Sequence, residues 1–257
     1  LAAVAVPPER LDAVAALVSA QPGVNHNYER EHRWNLWFVL NGSSAGAVQR
    51  TMDAVQSLVR LPMLRLTMQR AYRIDLGFDL AGSIGRSPID TRGEAPAPLA
   101  ALVEQGLPLV RHPYDRWALQ LGNDGDQVVE TIARWQRDGT LKRFGAIVRH
   151  HELGFDANAM TVFDVSDAEV DARGDALARD DAVTLAYRRE RAAGWPYNLY
   201  CMVHGRDRHS VCTALEGVLQ RAGLSHHPRE TLFSRRRFKQ EGARRFRDLH
   251  TQVSHVL

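Results

Sequence analysis

Two stretches of this chain repeat the same order of predicted elements, and this internal repeat constrains the fold more than any other feature. The first stretch reads as a strand, LAAVAVP, a helix, the strands VNHNYERE and WNLWFVLNG, a second helix and the strand MLRLTMQRAYRI. The second reads as NAMTVFDV, helix DAEVDARGDALAR, strands VTLAYRRE and YNLYCMVHG, helix HSVCTALEGVLQRAG and strand RETLFSRRRF. The helices of the first stretch carry apolar residues at helical spacing. Both stretches therefore predict βαββαβ.

The repeat extends to individual residues. The segment WNLW at 34–37 aligns with YNLY at 197–200, and both strands end at a glycine. The other matching pairs are Tyr28 with Tyr187, Arg30 with Arg189, and Glu31 with Glu190. Internal duplication is the simplest explanation. The split order predicts an α+β fold made of two ferredoxin-like units.

The region between the two stretches has a different character. Residues 79–97 are rich in Gly, Pro and Ser and read as a linker. Residues 98–150 predict three short helices and a β-wing, the layout of a winged helix-turn-helix. We therefore expect a first βαββαβ unit at 1–78, and a second unit at 151–257 that ends in a basic strand and tail.

Composition excludes several classes of protein. There are only two cysteines, Cys201 and Cys212, and they have no CxxC spacing, which argues against a disulfide scaffold or zinc ribbon and favours a reducing cytoplasm. No run of apolar residues is long enough to span a membrane. The sequence has no secretory signal, and LAAVAV at its start is predicted to form a first β-strand, with what precedes Leu1 left open.

A helix-turn-helix suggests DNA binding, but the charges of the third predicted helix argue against it. A recognition helix needs cations for phosphate and donors for base edges. This helix and its approach carry four acidic residues against only Arg134 and Arg137. We therefore expect nucleic acid to be an unlikely partner, and the winged helix to serve in dimerisation or packing.

Three segments carry a family resemblance: NYEREHRWNLWF, GTLKRFGAIVRHHELGFDANAM and FSRRRFKQEGARRF. They resemble the sirohaem decarboxylase family, and the order of winged helix and βαββαβ is similar to Lrp/AsnC regulators. The chain looks like fused D-like and L-like subunits of denitrification haem biosynthesis, covering about residues 1–78 and 98–246. It departs from that pattern because no winged helix precedes the D-like half in this sequence.

The resemblance implies a carboxy-lyase that removes carbon dioxide from acetate side chains of sirohaem. It implies no cofactor of the protein's own, because the iron belongs to the substrate. Such a substrate needs aromatic walls for the ring, arginines for the carboxylates that stay, and an acid that protonates the carbon losing carbon dioxide. Sister decarboxylase subunits or further copies of the chain are the expected protein partners.

Histidine suits the acid because its pKa lies near neutrality, and it can also ligate iron. His26 and His32 occur in the first stretch only: Leu185 stands at the place of His26, and a longer turn, RAAGWP, replaces His32. We therefore predict that His26 and His32 supply the iron ligand and the proton donor, in an order left open. His150 is the third catalytic candidate, approaching from the L-like half.

Arginine forks bind carboxylates through two hydrogen bonds, so the arginine excess fits a substrate with many carboxylates. The predicted substrate-binding residues are Tyr28, Arg30, Arg149, Arg189, Arg191, Arg235, Arg237 and Lys239. The alternative hypothesis is an Lrp/AsnC-like ligand-sensing regulator, or a haem-binding module without catalysis.

Overall fold

The computed structural model describes residues 1–74, 97–141 and 157–242. Two compact units contain them. Residues 1–40, 50–74 and 157–241 belong to the first unit, and residues 41–49, 97–141 and 242 belong to the second.

The first βαββαβ stretch forms two helices and five strands. They are β1 (Ala2–Val4), α1 (Leu11–Ala20), β2 (Val24–Arg30), β3 (Leu36–Leu40), α2 (Ala45–Val59), β4 (Met63–Arg65) and β5 (Met68–Ile74). A short 3-10 helix, Pro8–Arg10, precedes α1. The sequence predicts one strand across MLRLTMQRAYRI, whereas the structure divides it into β4 and β5.

The second unit contains three helices, α3 (Ala97–Gln105), α4 (Pro113–Leu121) and α5 (Gly125–Arg137). Trp117, Ile132 and Trp135 are buried among them and form the centre of their apolar core. Asp124 caps α5, because its side chain accepts a hydrogen bond from the Asp126 backbone at 2.8 Å. The predicted wing follows Leu141 in the sequence and lies outside the described residues.

The second βαββαβ stretch follows the predicted order of elements. They are β6 (Ala157–Phe163), α6 (Val170–Arg179), β7 (Val183–Arg189), β8 (Leu199–Gly205), α7 (Arg208–Arg221) and β9 (Arg229–Gln240). The predicted α+β class with two βαββαβ units is confirmed. No helix in the described ranges is long and apolar enough to cross a membrane.

The two halves of the first unit exchange their last strands. The nine described strands lie in the order β4-β1-β3-β2-β9-β6-β8-β7-β5. β4 pairs with β1 of its own half, and β5 then pairs with β7 of the other half. β9 also pairs with both halves, but as one continuous strand. Its beginning pairs with β6 of its own half, and its end pairs with β2 of the other half.

Buried arginines mark the two places where the chain crosses from one half to the other. Arg30 Nη1 donates to the Leu232 carbonyl at 3.0 Å, and Arg189 Nη1 donates to the Leu66 carbonyl at 3.1 Å. Leu66 lies between β4 and β5, so this contact sits where the predicted single strand is divided. The repeated arginines therefore satisfy equivalent backbone carbonyls in the two halves.

The repeated asparagines have an equally direct structural role. The Asn35 side chain accepts from the Val6 backbone N–H at 2.9 Å and donates to the Val6 carbonyl at 2.8 Å. Asn198 makes the same two bonds with Val165, at 3.0 and 2.9 Å. The motifs WNLW and YNLY are thus shared because each holds its hairpin to the end of the first strand of its half.

The core between the two halves is aromatic. Trp37, Trp195 and Tyr200 are buried there together with aliphatic side chains of both halves. The Trp195 indole N–H donates to the Tyr200 hydroxyl at 2.7 Å. A separate apolar core lies between the strands of the second half and α6 and α7.

Candidate active site

Alternate residues of β2 point to opposite faces of the strand, and this places His26 and Tyr28 side by side. Asn27 faces α1, because its side-chain amide donates to the Ala15 carbonyl at 3.0 Å. The rings of His26 and Tyr28 lie on the other face, with centroids 6.3 Å apart. The Arg30 guanidinium carbon is 5.8 Å from the centre of the Tyr28 ring. His26, Tyr28 and Arg30 therefore lie near one another along β2.

β9 brings two more polar residues to this face. In the strand register, Arg237 lies opposite Tyr28 and Gln240 lies opposite His26. Arg237 Nη1 donates to Gln240 Oε1 at 2.9 Å. We call His26, Tyr28, Arg237 and Gln240 the polar face.

The environment of the polar face keeps the Tyr28 hydroxyl protonated. Burial raises the pKa of Tyr28, and the positive charges of Arg30 and Arg237 oppose that rise without cancelling it. Burial also lowers the pKa of Arg30 to about 10, which leaves the guanidinium charged at neutral pH. The polar face therefore has a phenol that can donate a proton and an imidazole that can donate or accept one, beside cationic groups.

The equivalent face, formed by β7 and the exchanged strand β5, is apolar apart from a tyrosine. Tyr187 lies opposite Ala71, and Leu185 lies opposite Ile74, in the same register that pairs Tyr28 with Arg237 and His26 with Gln240. The tyrosine is thus retained, while leucine, alanine and isoleucine replace histidine, arginine and glutamine. The difference between the halves that the sequence revealed at His26 extends across two strands.

Gln240 is the residue that reasoning from the sequence missed. The difference between the two repeats at this position can be read from the sequence. Aligning RETLFSRRRFKQ with MLRLTMQRAYRI places Gln240 against Ile74 and Arg237 against Ala71. The exchange of strands between the halves could not be read from local pattern, so the position of Gln240 opposite His26 could not be predicted.

His32 lies in the turn after β2, away from the polar face, and both of its ring nitrogens are hydrogen-bonded. The Trp34 backbone N–H donates to Nδ1 at 3.0 Å, and Nε2 donates to Glu230 Oε2 at 2.7 Å. The Tyr197 hydroxyl donates to the other oxygen of Glu230 at 3.0 Å. Burial lowers the pKa of His32. The neighbouring Glu230 carboxylate opposes this decrease, and the positive charge of Arg33 adds to it. The imidazole is therefore neutral, with its proton on Nε2.

The predicted arginines of the second half have structural partners. Arg189 is buried, binds the Leu66 carbonyl and lies 5.1 Å from the centre of the Tyr187 ring. Arg191 donates to Asp167 at 3.0 Å and to Asp164 at 3.1 Å, as well as to backbone carbonyls. Arg189 therefore supports the chain crossing at Leu66, and Arg191 forms ion pairs with two aspartates.

The basic strand β9 distributes its cations between two faces. Lys239 turns towards α1, where its ammonium donates to the Ser19 carbonyl at 2.9 Å. Arg235 is exposed and lies 3.7 Å from Glu31 and 4.0 Å from Glu29. Of the three predicted binding residues on β9, only Arg237 belongs to the polar face.

A cavity of about 360 Å³ opens near the end of β2. Its lining residues are Pro8, Leu11, Glu29, Arg30, Glu31, His32, Asn35 and Arg235. The two glutamates are paired with arginines, since Arg236 lies 3.2 Å from Glu29 and Arg208 lies 2.7 Å from Glu31. Both carboxylates of the cavity therefore already have arginine partners within the chain.

Two predicted site residues, Arg149 and His150, lie outside the described residues. Among the residues that are described, no group of three or more His, Cys, Asp or Glu side chains is placed to hold a metal ion. What the described site offers is therefore hydrogen-bond donors, a cation and proton-carrying side chains on one sheet face.

Comparison with known proteins identifies the family. The AsnC-like ligand binding domain matches residues 1–73 and 152–239. The siroheme decarboxylase NirDL subunit of Paracoccus denitrificans is 37% identical over 250 residues, which are 95% of this chain and 77% of that protein. The NirL subunit of the siroheme decarboxylase of Stutzerimonas stutzeri is 48% identical over 57% of this chain and 86% of its own length.

A solved structure supports the same assignment. The crystal structure of the siroheme decarboxylase NirDL in co-complex with an iron-uroporphyrin III analogue matches 100% of this chain and 78% of that chain, with 25% sequence identity and a TM-score of 0.64. This likeness covers both βαββαβ halves and the helices between them. The chain belongs to the siroheme decarboxylase family and resembles its NirDL members along nearly its whole length.

Proposed function

We propose that this chain is a carboxy-lyase that removes carbon dioxide from acetate side chains of sirohaem in haem biosynthesis. The observation that carries the proposal is the polar face, which has an apolar counterpart in a duplicated fold whose relatives are siroheme decarboxylases. In the reaction, the bond between the methylene carbon and the carboxyl carbon breaks and carbon dioxide leaves. The electron pair left on the methylene carbon takes up a proton, so the product carries a methyl group.

The polar face supplies the groups that this chemistry needs. His26 and Tyr28 are the two proton carriers, and His26 is also the candidate ligand of the substrate iron. Arg237 supplies a positive charge for a carboxylate that stays on the ring. The iron is carried by the substrate, and the protein contributes no cofactor of its own to the proposed step.

His32 can join this chemistry only if it gives up a hydrogen bond to Glu230 or Trp34. We therefore place the reacting groups at His26 and Tyr28. We propose that His32 links the first hairpin to the second half through its hydrogen bond to Glu230. The contribution predicted for His150 stays a prediction.

We propose that the predicted domain division holds, with residues 98–150 as a winged helix that packs or dimerises. Its charges support this role, because Asp126 and Glu130 are exposed on α5. Sister decarboxylase subunits or a second copy of the chain are the proposed protein partners. The unpaired thiols of Cys201 and Cys212 fit a cytoplasmic location.

Anaerobic incubation of the purified chain with sirohaem tests the function. We expect release of carbon dioxide and a tetrapyrrole product that has lost the mass of carbon dioxide at an acetate position. A gel-shift titration on the same preparation is the counterpart experiment. Sequence-selective DNA binding without any turnover of sirohaem would contradict the decarboxylase and support a transcription regulator. Binding of sirohaem without turnover and without DNA binding would support a haem-binding module.

A further inference from the structure

The contact between Arg237 and Gln240 fixes how the glutamine amide is oriented. Arginine has hydrogen-bond donors and no acceptor, so the atom of Gln240 that faces it at 2.9 Å must be the carbonyl oxygen. The side-chain NH₂ of Gln240 consequently points away from Arg237. The amide N–H groups of Gln240 and the remaining guanidinium N–H groups of Arg237 are therefore left as hydrogen-bond donors for a ligand.

The pair also has the right neighbours for a ligand site. Gln240 lies opposite His26 in the register, and Arg237 lies opposite Tyr28, so both are on the face that carries the proton donors. Gln240 is exposed and Arg237 is half-buried. The neighbouring Lys239 takes no part, because its ammonium binds the Ser19 carbonyl on the α1 side.

The equivalent face formed by β7 and β5 provides an internal comparison. Ile74 occupies the position equivalent to Gln240, and Ala71 the position equivalent to Arg237. Neither residue can bind a carboxylate, and Leu185 on the same face stands in place of His26. The carboxylate donors and the histidine are therefore present together on one face and absent together from its counterpart.

From this geometry we propose that Gln240 is a specificity-determining residue that binds a ring carboxylate of the tetrapyrrole together with Arg237. The proposal rests on the proposed function for the identity of the ligand. Gln240 donates from its amide NH₂ while Arg237 donates from its guanidinium, and the bond between them holds both in place. Because hydrogen bonds to a charged acceptor are stronger than neutral ones, the pair selects ligands with a carboxylate at this position.

Spectral titration with iron-uroporphyrin, which has many carboxylates, tests the proposal without requiring turnover. In Gln240→Glu the new carboxylate pairs with Arg237 and repels the ligand, so we expect affinity to fall by roughly tenfold to a hundredfold. Gln240→Leu, which copies the apolar character of Ile74 on the equivalent face, should lose about tenfold in affinity. Binding of haem, which has fewer carboxylates, should change less in both variants.

The control is Gln69→Glu, which adds the same charge at an exposed glutamine of β5. We expect it to bind iron-uroporphyrin like the wild type. Wild-type affinity in both Gln240 variants would overturn the assignment even if the wild type decarboxylates sirohaem. If the wild type does not decarboxylate sirohaem but both variants bind iron-uroporphyrin weakly, the proposed function fails and the carboxylate site stands.

Discussion

At the scale of single residues, the structure separates two histidines that the sequence had grouped. His26 lies beside Tyr28 on a face that also holds Arg237. His32 has each ring nitrogen in a hydrogen bond, one to the Trp34 backbone and one to Glu230. Sequence alone could show that both occur in one half only. It could not show the difference in their surroundings, because Glu230 is brought to His32 by the fold.

The surroundings of His32 predict a pH-dependent contribution to stability. Its pKa in the folded chain lies below the ordinary value of 6.5, chiefly because of burial, so the unfolded chain binds the proton more tightly. The stabilisation by neutral His32 is therefore present above about pH 6.5 and is lost as the pH falls through the lowered folded value.

Thermal unfolding from pH 8 to pH 5 measures this effect. In His32→Gln the amide retains a donor for Glu230 but does not titrate in this range. We expect the wild type to lose stability relative to this variant on acidification. A difference in melting temperature that stays constant over the whole range would contradict the assignment, since the other titrating groups are common to both proteins.

At the scale of elements, the repeated arginines hold the exchanged strands. Arg30 and Arg189 bind carbonyls at equivalent crossing points, and each lies over a tyrosine of its own strand. The order of elements was predictable from apolar periodicity and from the repeat. The division into β4 and β5 was not predictable, because the residue pattern along a strand stays the same when the strand changes its pairing partner.

Arg30→Ala and Arg189→Ala are therefore expected to destabilise the fold to a similar extent. Each removes a hydrogen bond to a buried carbonyl together with packed methylene groups, at a cost of about 1–3 kcal/mol in the free energy of unfolding. Urea unfolding is the measurement, with the exposed Arg179→Ala as a control that should change stability by less than about 0.5 kcal/mol. Loss of iron-uroporphyrin affinity with unchanged stability would instead assign these arginines to the substrate, as the sequence predicted.

At the scale of the whole molecule, duplication explains why one chain contains a polar and an apolar version of the same surface. The two halves share their hairpins, their asparagine contacts and their exchanged strands, and they differ at the positions of His26, Arg237 and Gln240. The first of these differences was readable from the sequence. The others required the register between β2 and β9, which comes from contacts between residues far apart in the chain.

We expect decarboxylation to depend on the face that holds His26, and exchanging the residues at the equivalent positions 26 and 185 measures this dependence. His26→Leu gives the first half the side chain of the second, and Leu185→His does the reverse. Anaerobic decarboxylation of sirohaem should fall at least about a hundredfold in His26→Leu, the scale of a lost proton donor, and remain near the wild-type rate in Leu185→His. A wild-type rate in His26→Leu would show that His26 has no part in the decarboxylation.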